Sequence, residues 1–141
     1  MNILAVCTHN YFRSQIVEWL LRARAPEGIV IRSAGCASAY LGHKAFPLVL
    51  NAINTRGGHC DDYQAHQITI QDVQWADLIL CAEQMHVDFI KEKFIPLTRI
   101  QRFLPGSDIP DGGVENPPAV ELAADMIYEG IKEFCKEHGW K

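Results

Sequence analysis

Short strand-like runs alternate with helix-like stretches along the whole of this chain, and that alternation restricts the fold more than any other feature. Residues 2–6 (NILAV), 29–35 (IVIRSAG) and 77–82 (DLILCA) are apolar runs of buried-strand type, while 98–104 (TRIQRFL) alternates like a less buried edge strand. From Ser14 to about Ala25, Ile16, Val17, Leu20 and Leu21 recur at helical spacing, and Pro26 and Gly28 punctuate the end. Further helices are expected around Ala45–Thr55, closed by Gly57 and Gly58, near Gln71–Trp75, and over residues 83–94. A last helix carries its apolar stripe on Val120, Ala124, Ile127, Ile131, Phe134 and Cys135, after a Pro-, Gly- and Asp-rich loop over 105–118. Strands separated by helices pair in parallel, because each helix supplies the crossover that returns the chain to the same end of the sheet. The expectation is one α/β domain over residues 1–141, with a parallel sheet flanked by helices on both faces.

Composition excludes several classes of function. The net charge of −4 and the absence of a Lys/Arg run leave no electrostatic footprint for nucleic acid. No stretch is long and apolar enough to span a bilayer, and the N-terminus runs straight into a strand without a basic leader, so a cytoplasmic protein is expected. Five widely spread cysteines, Cys7, Cys36, Cys60, Cys81 and Cys135, are an odd number without a C-x-x-C pair, which argues for reduced thiols. His43, His59, Cys60 and His66 lie near one another in sequence, but no zinc spacing fits them, so no structural metal is expected.

The turn after the first strand concentrates the chemistry. In open parallel sheets ligands bind at the carboxyl ends of strands, and this turn also leads into a helix N-terminus, where unpaired amides and the dipole favour an anion. Thr8, His9, Asn10, Tyr11, Phe12, Arg13 and Ser14 occupy it. A loop of this kind wraps amides around a tetrahedral oxyanion, and Arg13 adds a two-pronged fork matched to two phosphate oxygens. Cys7 at the floor of the loop gains from the same amides, dipole and guanidinium as a thiolate nucleophile. Asn10 suits the positive φ of a tight anion loop, and Ser14 is placed either to bond the sulfur or to cap the helix.

At these residues the chain resembles the low-molecular-weight protein-tyrosine phosphatases. VCTHNYFRS matches their C-x-x-N-x-x-R-S signature after the first strand, and IRSAG (31–35), AHQIT (65–69), WADLILC (75–81) and DIPDG (108–112) extend the resemblance over nearly the whole chain. The resemblance implies a four-stranded parallel sheet, no metal or organic cofactor, and hydrolysis of phosphotyrosine or aryl phosphate monoesters through a phosphocysteine on Cys7. It implies phosphate, sulfate and vanadate as ligands. It also implies an aspartate in a late loop as proton donor and base, matched by Asp111, with Asp108 close by as the alternative.

The chain departs from the family pattern at several positions. His9 stands where the family has glycine, and Phe12 where many relatives have a second, redox-protective cysteine. Tyr11 stands where tyrosine phosphatases often have an aliphatic residue and related arginine phosphatases have threonine. Gly112 and Gly113 replace a proline and an aromatic residue after Asp111, removing stiffness and a stacking wall, for which Tyr40 is the candidate substitute. Two other functions stay open at this point. One is a weakly catalytic phospho-ligand binding or regulatory protein. The other is a thiol-dependent arsenate reductase relaying through Cys81, although Asp88 and Phe89 stand where its partner cysteines belong.

Overall fold

The computed structural model describes residues 1–37, 46–96 and 98–141. Its sheet holds β1 (Asn2–Cys7), β2 (Val30–Gly35), β3 (Leu78–Cys81) and β4 (Arg99–Arg102), all parallel, in the spatial order β2-β1-β3-β4. The helices are α1 (Arg13–Arg22), α2 (Pro47–Asn54), α3 (Ile70–Trp75), α4 (Gln84–Phe94) and α5 (Pro117–Glu137). The expected parallel sheet with helices on both faces is the fold observed.

Side-chain alternation along β1 divides the core. Ile3, Ala5 and Cys7 pack into the layer shared with α1, α2 and α5, whereas Leu4 and Val6 join Ile79, Cys81, Val73, Val87 and Ile90 beneath α3 and α4. The central strands are buried on both faces, which is why they read as continuous apolar runs rather than alternating ones. At β4 the pattern is more exposed, as an edge strand requires.

Boundaries differ from the sequence expectation for local reasons. α1 ends at Arg22, and the chain then turns through 3-residue and 4-residue bonds, with Ala25 N still donating to Leu21 O at 2.8 Å before Pro26. α2 and α5 each open on a proline, which needs no amide partner in the first turn; α5 therefore begins inside what the composition marks as loop. α3 begins one residue earlier than expected, where Thr69 and Asp72 form a reciprocal capping box. The start expected at Ala45 and the residue Tyr40 lie outside the described residues.

β1 is the place where the chain changes direction across the sheet: β2 lies on one side of it and β3 on the other. The carboxyl ends of β1 and β3 therefore border a crevice, and the residues after Cys7 and Cys81 face each other there. Beyond β2, Gly35 makes one further parallel bridge to Gln67, with Gly35 N donating to His66 O at 2.9 Å and Ile68 N to Gly35 O at 2.8 Å. Sequence reading gave no sign of that bridge, because it joins a strand end to an irregular polar segment.

Gly35 also supports the loop after Cys7. A Cβ there would lie 2.7 Å from His9 C, 2.8 Å from Asn10 N and 2.9 Å from Thr8 O, all backbone atoms that cannot swing aside. Gly35→Ala should cost roughly 2–3 kcal/mol of stability as an overpacking change and should displace the loop. Urea denaturation checks the first effect and vanadate binding the second; an unchanged midpoint with unchanged binding would contradict this packing.

Candidate active site

Cys7 ends β1 with its sulfur buried beneath the following loop. Ser14 Oγ lies 3.0 Å from Cys7 Sγ, and Asn10 N donates to the sulfur at 3.3 Å. Asn10 takes φ 59°, the left-handed conformation expected of it, and is fully buried. Its side chain is fully used: Nδ2 donates to Ser14 Oγ at 2.8 Å and to Ser33 Oγ at 2.9 Å, and Oδ1 accepts from His66 N at 3.0 Å. Its carbonyl accepts from Gln15 Nε2 at 3.0 Å.

These bonds orient the serines. Ser14 accepts from Asn10, so its own O–H is available to donate to the sulfur; of the two roles foreseen for it, it takes the first. The helix is capped by no side chain at Phe12. Ser33 likewise accepts from Asn10 and donates to the Glu18 carboxylate, which Arg22 also meets at 2.7 Å. Burial pushes the Glu18 carboxyl above the usual range, against the opposing pull of Ser33 and Arg22. The polar chain from Glu18 through Ser33, Asn10 and Ser14 thus arrives at Cys7, where the Ser14 hydroxyl and the Asn10 amide are both directed at the sulfur.

Arg13 is 2% exposed and held at one end. Nη1 donates to Glu83 Oε2 at 2.6 Å and to Ile109 O at 2.7 Å, while Nη2 lies 3.4 Å from Thr8 Oγ1 and 3.8 Å from Asp111 Oδ2. Asp111 thus comes to the Cys7 loop and joins Cys7, Thr8, His9, Tyr11, Phe12 and Arg13 around one cleft. Asp108 is engaged elsewhere, accepting from Gln84 N at 3.0 Å and from Arg102 at 3.2 Å. Those donors hold the Asp108 carboxyl below its ordinary range, the Gln84 amide foremost. Phe12 turns its side chain into the core, so only its backbone is available to the loop.

Each glycine after Asp111 has a local reason in the structure. Gly112 packs so closely on α5 that a Cβ would sit 2.4 Å from Ala119 Cβ, and Gly113 takes φ 92°. Before Asp111, Ile109 is fully buried and its amide donates to Ala82 O at 2.8 Å.

His86, which the sequence did not single out, completes the site. Its Nδ1 accepts from Glu83 N at 3.0 Å, so the ring hydrogen resides on Nε2, which donates to Thr8 Oγ1 at 2.9 Å. The His86 amide in turn donates to the Glu83 backbone carbonyl at 3.1 Å at the start of α4. Burial and the neighbouring Arg13 lower the His86 pKa to about 4, against the pull of Glu83, Asp108 and Asp111. Burial raises Cys36 to about 12 and Cys60 to about 11, and pushes Cys81 and Cys135 up as well. Among the described residues no group of three or more His, Cys, Asp or Glu is arranged to hold a metal, and His43 lies outside them.

A ring that stays neutral in the folded protein sets a pH window. As pH falls from about 6.5 toward about 4, the unfolded chain takes up a proton that folded His86 resists, since protonated Nδ1 would confront the Glu83 amide. Stability should therefore fall by up to about 3 kcal/mol across that window, and by less in His86→Gln. Urea midpoints measured against pH check this, and parallel curves for the two proteins would overturn it.

Comparison with known proteins agrees with this geometry. The chain is 29% identical over 140 residues to the low molecular weight protein-tyrosine-phosphatase Etp of Escherichia coli strain K12, covering 96% of this chain and 93% of that one. It is 30% identical over 136 residues to the probable low molecular weight protein-tyrosine-phosphatase EpsP of Ralstonia nicotianae, covering 92% and 90%. The solved structure of the YwlE arginine phosphatase from Geobacillus stearothermophilus superposes with a TM-score of 0.86 at 25% identity, over 98% of this chain and 92% of that one. Residues 2–138 match the family described as low molecular weight phosphotyrosine protein phosphatase. With a cysteine and an arginine at the turn after β1 and an aspartate brought over them, the chain belongs to that family and is a cysteine-dependent phosphatase.

Proposed function

We propose that the protein hydrolyses phosphotyrosine and related aryl phosphate monoesters at the Cys7 cleft. The observation that carries this reading is the convergence on one sulfur of two hydrogen-bond contacts, from Asn10 N and Ser14 Oγ, beneath Arg13 and Asp111. The backbone of residues 8–14 and the free edge of Arg13 hold the phosphate oxygens. Thr8 accepts from His86 and Arg13, which leaves its own O–H as a further donor.

In the first step the Cys7 thiolate forms a bond to phosphorus and the ester P–O bond breaks. Asp111 gives its proton to the departing phenolate oxygen. In the second step the Asp111 carboxylate takes a proton from water, the water oxygen attacks phosphorus, and the S–P bond breaks to release phosphate and the thiolate. Arg13 meets the charge on the equatorial oxygens throughout. A cytoplasmic, reducing setting suits a nucleophile that must stay a free thiol.

Arsenate reduction is not favoured, since Cys81 is buried in β3 and no cysteine follows it until Cys135. A pure binding role is separated by turnover. The wild type should hydrolyse 4-nitrophenyl phosphate, with inhibition by vanadate, and Cys7→Ser should lose at least about 1000-fold in kcat. Vanadate binding without turnover would sink the enzymatic reading.

The acid assignment has its own measurement. Asp111→Asn should reduce kcat by about 100-fold or more for poor leaving groups such as phenyl phosphate, and far less for strongly activated aryl esters. Asp108→Asn should leave that leaving-group dependence unchanged; the reverse pattern would move the role to Asp108.

A further inference from the structure

Beside the cleft over Cys7, and sharing Tyr11 with it, lies a second cavity of about 510 Å³ that the phosphoryl chemistry does not use. One side is aromatic. The His9 ring stacks on Tyr11 with centroids 5.5 Å apart and planes at 27°, and Tyr11 meets Phe46 at 5.3 Å, tilted by 53°. The facing side is the bare backbone of Gly112 and Gly113, with buried Val114 behind it. Exposed Glu115 is the one charged residue lining the cavity among the described residues.

That volume falls in the range of sites for whole small ligands, about 300–1,000 Å³, and exceeds what a single phenyl ring fills. What remains has room for groups attached to the phosphorylated ring. Aromatic faces attract a guanidinium or ammonium within about 6 Å through the ring quadrupole, and a carboxylate at the mouth adds Coulomb attraction. No lysine or arginine among the described lining residues repels such a cation. An acidic neighbour, by contrast, would bring a carboxylate against Glu115 and the nearby Asp111.

We infer that the Tyr11–Phe46–Glu115 cavity is a subsite for a basic residue flanking the phosphotyrosine, so that the preferred substrates are phosphotyrosyl segments with arginine or lysine beside the phosphorylated residue. This inference rests on the Cys7 cleft being the phosphotyrosine site. The aromatic contact that an acid loop carrying Gly112 and Gly113 cannot supply is then provided from the opposite side, and Glu115 supplies the charge preference.

The test compares two phosphotyrosyl peptides identical except for arginine or glutamate on both sides of the phosphotyrosine, with 4-nitrophenyl phosphate as reference substrate. Relative to that reference, kcat/KM should favour the arginine peptide about tenfold at low ionic strength, and the preference should shrink in about 0.5 M salt. Glu115→Lys should reverse the preference, and Phe46→Leu should lower kcat/KM for the arginine peptide by about threefold or more. Equal kcat/KM for the two peptides, or a preference that Glu115→Lys leaves intact, overturns the subsite. If 4-nitrophenyl phosphate is not turned over, the phosphatase reading fails separately. The affinities of the two peptides for wild type and Glu115→Lys, measured by titration calorimetry, then decide the subsite by the same pattern of preference and reversal.

Discussion

The buried guanidinium of Arg13 is the constraint on which the rest of the site depends. A charge that is 2% exposed must find its partners inside the protein, and these come from distant stretches of chain. Glu83 reaches it from the end of β3 and the Ile109 carbonyl from the loop after β4, 70 and 96 residues away in sequence. Satisfying one side chain therefore draws three loops to the same crevice. Removing one member of such a buried pair typically costs about 3–5 kcal/mol, because the other charge is left uncompensated. Since Nη1 carries both tethers, Nη2 remains directed toward Thr8 and Asp111, on the side where an anion would enter.

Asn10 plays the corresponding part beneath the loop. A buried amide in the left-handed region costs free energy unless its surroundings determine it fully, and here every polar atom of the residue is engaged. The network continues to Glu18 on the second turn of α1, so a helix in the core and a loop at the surface share one set of hydrogen bonds. Gly35 fits into the same arrangement from the other side, since its missing side chain lets β2 pass against the loop backbone. Rigidity at Cys7 is thus a property of the core, transmitted through short polar contacts.

What the sequence revealed of this follows the range of the interactions. The fold was legible because strand and helix periodicity are local, and so was the turn after β1, where Cys7, Asn10, Arg13 and Ser14 stand within eight residues of one another. Asp111 was reached through resemblance; in the structure it lies 3.8 Å from Arg13 Nη2. Glu83, His86, Ser33 and Glu18 escaped notice because nothing local marks them. His86 meets Thr8 across 78 residues, and Glu18 and Ser33 meet only because α1 packs on β2. The physical reading of Gly112 and Gly113 changed most. As sequence they are two flexible residues beside a functional aspartate; in the structure Gly112 is demanded by contact with Ala119, and the loop is tied down at Ile109.

The two halves of the cleft are therefore built on different principles. The half around Cys7 uses buried polar groups whose partners are all specified, so a change in any of them propagates to the sulfur. The half around Tyr11, Phe46 and Glu115 lies toward solvent and is made of ring faces and bare backbone, which impose shape and charge preference without demanding a fixed set of hydrogen bonds. His9 and Tyr11 sit on the boundary, in the loop that holds the chemistry, with their rings stacked on each other. The inner network runs instead from Asn10 to Ser14, Ser33, Gln15 and His66, and from Arg13 to Glu83, Ile109 and Thr8. A scaffold arranged this way can keep one reaction while its rim changes what is presented to it.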